Sequence, residues 1–202
     1  GRRRAALSTT GPLRKAAWML YFACLGLGFI NVELVLLQRL NLFLGYPVYA
    51  LTVVLFTLLL SSGAGSALAG RWTIFPGWPC ALIGLCLLLA GAAFVVPALI
   101  HKALGAATFI RLALAAAAVF PLGLLMGTAF PLGLRRAAED EPGLVPWAWA
   151  VNGAASVFGS ALTVLLSMSF GFTVSFRAGI LSYALAAVLA GLLARASTPA
   201  RA

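Results

Sequence analysis

The sequence predicts an all-α polytopic membrane protein: six transmembrane helices in one bundle, with both termini in the cytoplasm. Two observations carry the fold class. Of 202 residues, 63% are hydrophobic and only 9% are charged, and the mean hydropathy is +1.06. Soluble domains average about 45–50% apolar and ~25% charged residues. The apolar residues also fall into six runs, each near the ~20 residues that a helix needs to cross a ~30 Å hydrocarbon core.

The first run is 16–37. It follows a basic opening, GRRRAALSTTGPLRK, that superficially looks like a secretory leader. The run is too long for a leader's 7–15-residue apolar core and has no A-x-A exit, so it reads as a helix that stays. The second run, 48–69, follows the turn-rich NLFLGYP. The third is 80–100, after RWTIFPGWP. The fourth, 112–130, is bracketed by Arg111 and Pro131 and contains Pro121. Pro121 is expected to kink it, and Pro131 to kink or end it. The fifth, 147–170, follows RRAAEDEPGLVP, and the sixth, 174–193, follows GFT. Residues 1–15 then form a basic N-terminal segment, 16–195 the membrane domain and 196–202 a short tail.

Charge sets the orientation. Arg2, Arg3, Arg4, Arg14, Lys15, Arg71, Arg135, Arg136, Arg195 and Arg201 fall on the side of the termini. Only Arg39, Lys102, Arg111 and Arg177 fall on the other. Cations concentrate on the cytoplasmic side, which places both termini inside. All five tryptophans fall at inner helix ends, as one side of an aromatic belt. The net charge of +10 is thus explained by membrane topology and does not imply nucleic acid. Arg-rich, Ala-, Leu- and Gly-rich usage points to a high-GC bacterial source and so to its inner membrane.

Small residues mark close helix contacts where lipid supplies no hydrophobic drive. The second run carries Ser62, Ser66 and Gly70 at four-residue spacing, the fourth Gly123 and Gly127. The fifth carries Gly153, Ser156, Gly159 and Ser160. Asn152 lies near the inner side, at the depth of Ser62, Ser66 and Thr128, and reads as polar glue between helices.

The stretch GLGFINVELVLLQRLNLFLGYP holds Asn31, Glu33, Gln38 and Arg39, and Glu33 is the only acid before position 139. An ionisable group at membrane depth is expensive and marks a candidate site. Counting from position 16 at ~1.5 Å per residue, Glu33 lies ~25 Å from the inner end. Arg39, Arg111 and Arg177 share its level. Glu33 reads as an ion pair pinning helix ends, a protonated carboxyl, a site for a cationic or protonatable solute, or a contact to a partner subunit. Arg111 or Arg177 is the expected partner, because Arg39 is ~240° away on the same helix. Asn31 and Gln38, seven apart, share a face that Glu33 does not.

Catalytic equipment is thin. His101 stands beside Lys102, the three cysteines lie in apolar runs, and no cluster has metal-ligand spacing, so no metal or cofactor is expected. GAGSALAG at 63–70 sits inside a membrane helix, without the βαβ context of a nucleotide fingerprint. The chain is not expected to be an enzyme by itself.

Several stretches carry a resemblance. GFINVELVLLQRLNLFLGYPVYALTVVLFTLLLSSGAGS, MGTAFPLGL and PWAWAVNGAASVFGS resemble, in order and spacing, the membrane region of bacterial spermidine synthase-like membrane proteins, the fused transporter/spermidine synthase family. The likeness covers roughly residues 20–190. Glu33, Gln38, Arg39, Asn152 and Gly153 match motif positions of that family. The family joins such helices to a Rossmann-like aminopropyltransferase-type domain, whose glycine-rich loop and acidic polyamine-binding residues have no counterpart here. The resemblance therefore implies the membrane half, anchoring or serving a synthase-like domain, and the start at Gly1 fits a piece of a longer chain. An accessory subunit of a larger membrane complex and a half-transporter are the alternative expectations.

Overall fold

The computed structural model describes residues 2–70 and 77–197, with side chains for 11–70 and 77–195. Six helices follow one another: α1 (Arg2–Leu44), α2 (Pro47–Leu68), α3 (Trp78–Ala103), α4 (Thr108–Asp140), α5 (Leu144–Phe170) and α6 (Phe172–Ser197). All six are long and apolar enough to cross a membrane.

α1 is the hub. In its apolar window 56% of residues are buried, against 17–33% in the other five. It packs on α2, α4, α5 and α6, while α3 closes the bundle between α4 and α6. Trp18 of α1 and Leu193 of α6 line one cleft, so α1 starts and α6 ends at the same end of the bundle.

The helices run further than the apolar segments. α1 continues through Asn41–Leu44, most of the expected turn, and stops where Gly45 takes φ +80° and its N–H bonds to Asn41 O at 2.9 Å. That left-handed conformation suits glycine, and Pro47 then starts α2 with its φ already helical. Gly171, at φ +83°, performs the same turn between α5 and α6.

Pro131 does not end α4, which continues to Asp140. A proline costs its own N–H bond to residue i−4, but neighbouring helices stabilise such a break in a membrane bundle. Here Tyr21 Oη donates to Ala129 O at 2.9 Å, beside the break. Of the expected cytoplasmic linker, only 141–143 lie outside helices.

The aromatic expectation needs correction. Trp18 and Trp78 are buried and stacked, ring centroids 5.5 Å apart, inside a core cluster with Tyr21 and Phe22. Their area is better removed from lipid and water than spread at an interface. Trp147 and Trp149 are exposed as a belt requires. Trp72 and Arg71 lie outside the described residues, as do the side chains of Arg2, Arg3 and Arg4, and Arg201.

Candidate functional site

Polar groups gather at four places. The first is the end where α1 begins and α4 finishes. Arg14 Nη2 meets Asp140 Oδ2 at 2.6 Å, and Arg14 Nε donates to the same oxygen at 2.8 Å. Trp18 Nε1 also donates to it, at 2.9 Å. Next to this hub, Lys15 Nζ pairs with Glu141 Oε1 at 2.7 Å, and Arg136 with Glu139 at 3.1 Å. Trp18, Trp78, Arg136 and Asp140 frame a cleft of about 490 Å³ there.

The second place is the α1–α5 seam. Asn152 Nδ2 donates to Phe22 O at 3.1 Å. One turn on, Ser156 Oγ donates to Gly26 O at 3.3 Å and to Asn152 O at 3.0 Å. The backbones approach so closely that a β-carbon on Gly26 would collide with Asn152 O. At Gly159 the Leu27 and Ile30 side chains pack where a β-carbon would stand. Asn152 and Ser156 also border a crevice of about 210 Å³, whose apolar walls come from α1 and α4 and whose far side is Tyr183 of α6. Tyr183 reaches it across Gly28, where a β-carbon would stand 2.9 Å from the ring.

The third place is a buried seam between α1, α5 and α6. Ser175 Oγ donates to Asn31 Oδ1 at 3.1 Å, and Thr163 Oγ1 to Gly159 O at 2.7 Å. Ser167 Oγ is buried nearby in sequence and has no hydrogen-bond partner among the described residues.

The fourth is the opposite end of the bundle. Arg39 Nη2 donates to Thr173 Oγ1 at 3.0 Å, and its guanidinium lies 5.5 Å from the centre of the Phe176 ring. Arg111 lies 5.0 Å over Phe43, with its Nε buried and without a hydrogen-bond partner among the described residues. Gln38 Oε1 is likewise buried without a hydrogen-bond partner among the described residues.

These contacts redraw the expected site. Glu33 is half-buried and makes no ion pair among the described residues. Arg111 is engaged by Phe43, and Arg177 points to the exposed surface. An expected shared depth does not fix azimuth. Asn31 and Glu33 do diverge, as their spacing requires: Asn31 faces α6.

The partners expected for Asn152 are also replaced. α5 packs on α1, whereas Ser62 and Thr128 belong to the α2–α4 pair and bond within their own helices, to Leu59 O and Leu125 O. Ser66 is exposed. The α2–α4 contact is made instead by Ser61 against Gly123, the Ser62 backbone against Gly127, and Gly65 against Leu124 O. Gly70 lies under the Arg135 guanidinium. In α5, Ser156 and Gly159 pack on α1, while Gly153 has open space and Ser160 bonds to Val157 O in its own turn.

Sequence reading passed over Asp140, Tyr183, Ser175 and Tyr21. Asp140 had a signal: an acid at the same membrane level as Arg14 and Lys15. Tyr183, a lone tyrosine in an apolar run, had none until Gly28 was found beneath it. Among the described residues no three His, Cys, Asp or Glu side chains converge as metal ligands would. Comparison with protein-family models, with curated proteins and with solved structures gave no match for this chain.

Proposed function

We propose that this multi-pass helical bundle is the membrane domain of a spermidine synthase-like membrane protein, anchoring or serving a synthase-like domain in the cytoplasm of a bacterial cell. The observation that carries the reading is the ionic junction at the end where α1 begins. Arg14–Asp140 and Lys15–Glu141 fasten the N-terminal part of α1, beyond its first turns, to the end of α4, 126 positions away in each pair. A helix held this way transmits the position of whatever lies at that end to the bundle. The same end carries the majority of the cations, which supports its placement on the cytoplasmic side. In this reading the chain supplies no catalysis of its own.

Co-purification from native membranes in mild detergent, with intact mass, tests it. A synthase-like nucleotide-binding domain, on the same polypeptide or bound to it, is the expected companion. Charge reversal at Arg136, more than half exposed and paired within its own helix, is expected to weaken a bound companion without unfolding the bundle. Stoichiometric unrelated membrane subunits would replace this reading by the accessory-subunit one, and a stable second copy completing a twelve-helix unit by the half-transporter one.

Glu33 favours a second reading, in which the domain also handles a small cation. It is the one carboxylate among the described residues outside the ionic junction, and it has no ion-pair partner there. Binding of a small organic cation that is lost in Glu33→Gln and kept in Asp140→Asn would support it. Equal binding by both would remove it.

A further inference from the structure

We infer that the crevice between α4 and α5 is a binding site for the uncharged, hydroxyl-bearing head of an amphiphile drawn from the lipid phase. The inference is independent of the anchoring reading. α4 and α5 are consecutive, yet each packs chiefly elsewhere, α4 on α2 and α5 on α1. The space left between them has the stripe Leu25 and Phe29 of α1 as its floor. Phe130 of α4 closes one end by packing on Trp149 of α5, centroids 4.5 Å apart. The remaining side is the perimeter of the bundle, where exposed apolar residues such as Val157 and Phe158 face lipid.

The polar inventory defines the head group. Asn152 uses Nδ2 on Phe22 O, leaving Oδ1 as a spare acceptor. Ser156 donates to α1 and to its own helix, leaving its lone pairs. Tyr183 is 1% exposed, and its hydroxyl makes no hydrogen bond among the described residues. A buried tyrosine hydroxyl ordinarily has a partner. Spare acceptors and an unused O–H on residues that line one crevice match a group that both donates and accepts, and a hydroxyl does both. Among the described residues no charged side chain lines the crevice, so an ionic head would enter without a counter-charge, which is costly at membrane depth. The walls of Leu25, Phe29 and Met126 suit an apolar chain or ring. Small-molecule sites have this composition: mostly apolar, with a few convergent polar atoms.

The test is photolabelling of the detergent- or nanodisc-embedded protein. The probes are a diazirine-bearing long-chain alcohol, its amine and carboxylate counterparts, and the diazirine alkane with no head. The alcohol is expected to label peptides 126–130 and 152–156 in excess over the alkane. Tyr183→Phe, which keeps the ring and removes the hydroxyl, is expected to lower that excess about three- to tenfold, the effect of one lost hydrogen bond. Ala129→Leu, which fills the crevice from α4, is expected to abolish it. Labelling equal to that of the alkane would mean annular lipid only and overturn the site. Preference for the amine would transfer the region to Glu33, one turn outward of Phe29, and overturn the neutral-head assignment. An excess untouched in Tyr183→Phe would overturn the role of its hydroxyl even if Ala129→Leu failed to fold.

Discussion

A β-carbon on Gly127 of α4 would collide with the carbonyl oxygen of Ser62 on α2, so the two backbones touch directly. The same is true at Gly65 against Leu124 from the other side, and one turn from Gly127 a β-carbon on Gly123 would collide with the Ser61 hydroxyl. In lipid such contact is the driving force for helix association, because van der Waals packing replaces the hydrophobic effect.

Gly127→Val is therefore expected to destabilise the bundle by about 1–3 kcal/mol, the usual range for overpacking. Gly153→Ala is the matched control, since a β-carbon there meets nothing within 4 Å. Thermal unfolding in detergent should show a clear drop for the first and no drop for the second. Equal effects would mean that the α2–α4 seam is not a stability determinant.

The α1–α5 seam separates a hydrogen bond from backbone proximity. Asn152→Ala removes one interhelical bond and is expected to cost ~0.6–1.7 kcal/mol, as such bonds do in membranes. Gly26→Ala keeps every polar group but forces the backbones apart at Asn152 O, and is expected to cost more. The order of the two unfolding midpoints checks this: a milder Gly26→Ala would show that α5 can shift outward at little cost.

The spans were legible in the sequence, and azimuth was not. Six apolar runs gave six helices because length and hydropathy are enough to find a span. The same uniform apolarity hides the face each residue presents, since a helix hydrophobic all round has no polar side from which to read its orientation. That is why Asn152 was matched with residues of its own depth on α2 and α4, when its bond goes to α1. It is also why Glu33 was given partners at its level that point elsewhere. Pro131 misled for another reason. The helix-breaking rule assumes a helix that must satisfy its own backbone, and α4 is held by Tyr21 and α2 along that stretch. The ionic junction was half legible: its bases fall at one end by the charge rule, but their pairing with acids across 126 positions needed the fold.

Glu33 and Asp140 are expected to behave oppositely. Asp140 Oδ2 accepts from Arg14 and Trp18 in a partly buried setting. Asp140→Asn should lower stability by about 1–2 kcal/mol, the scale of charge-assisted bonds. Glu33→Gln removes no ion pair among the described residues and should stay within about 0.5 kcal/mol of the parent. A large loss in Glu33→Gln would reveal a partner that forms only in the full assembly. High salt should weaken the more exposed Lys15–Glu141 pair more than Arg14–Asp140, because buried pairs are screened less.

Orientation is the last prediction. The basic end is placed in the cytoplasm by the charge rule, and the fold puts 141–143 at that end and 104–107 at the other. Gly105 and Gly143 are both exposed, and each has room for a side chain. The native Cys24, Cys80 and Cys86 are buried or half-buried and carry no disulfide, and they can be replaced by alanine for the purpose. Gly105→Cys is then expected to react with a membrane-impermeant maleimide in intact cells, and Gly143→Cys only after the membrane is opened. The reverse pattern would turn the bundle over and put the Arg14–Asp140 junction outside. A cytoplasmic synthase-like partner could not reach it there, so the labelling pattern tests the proposed function along with the topology.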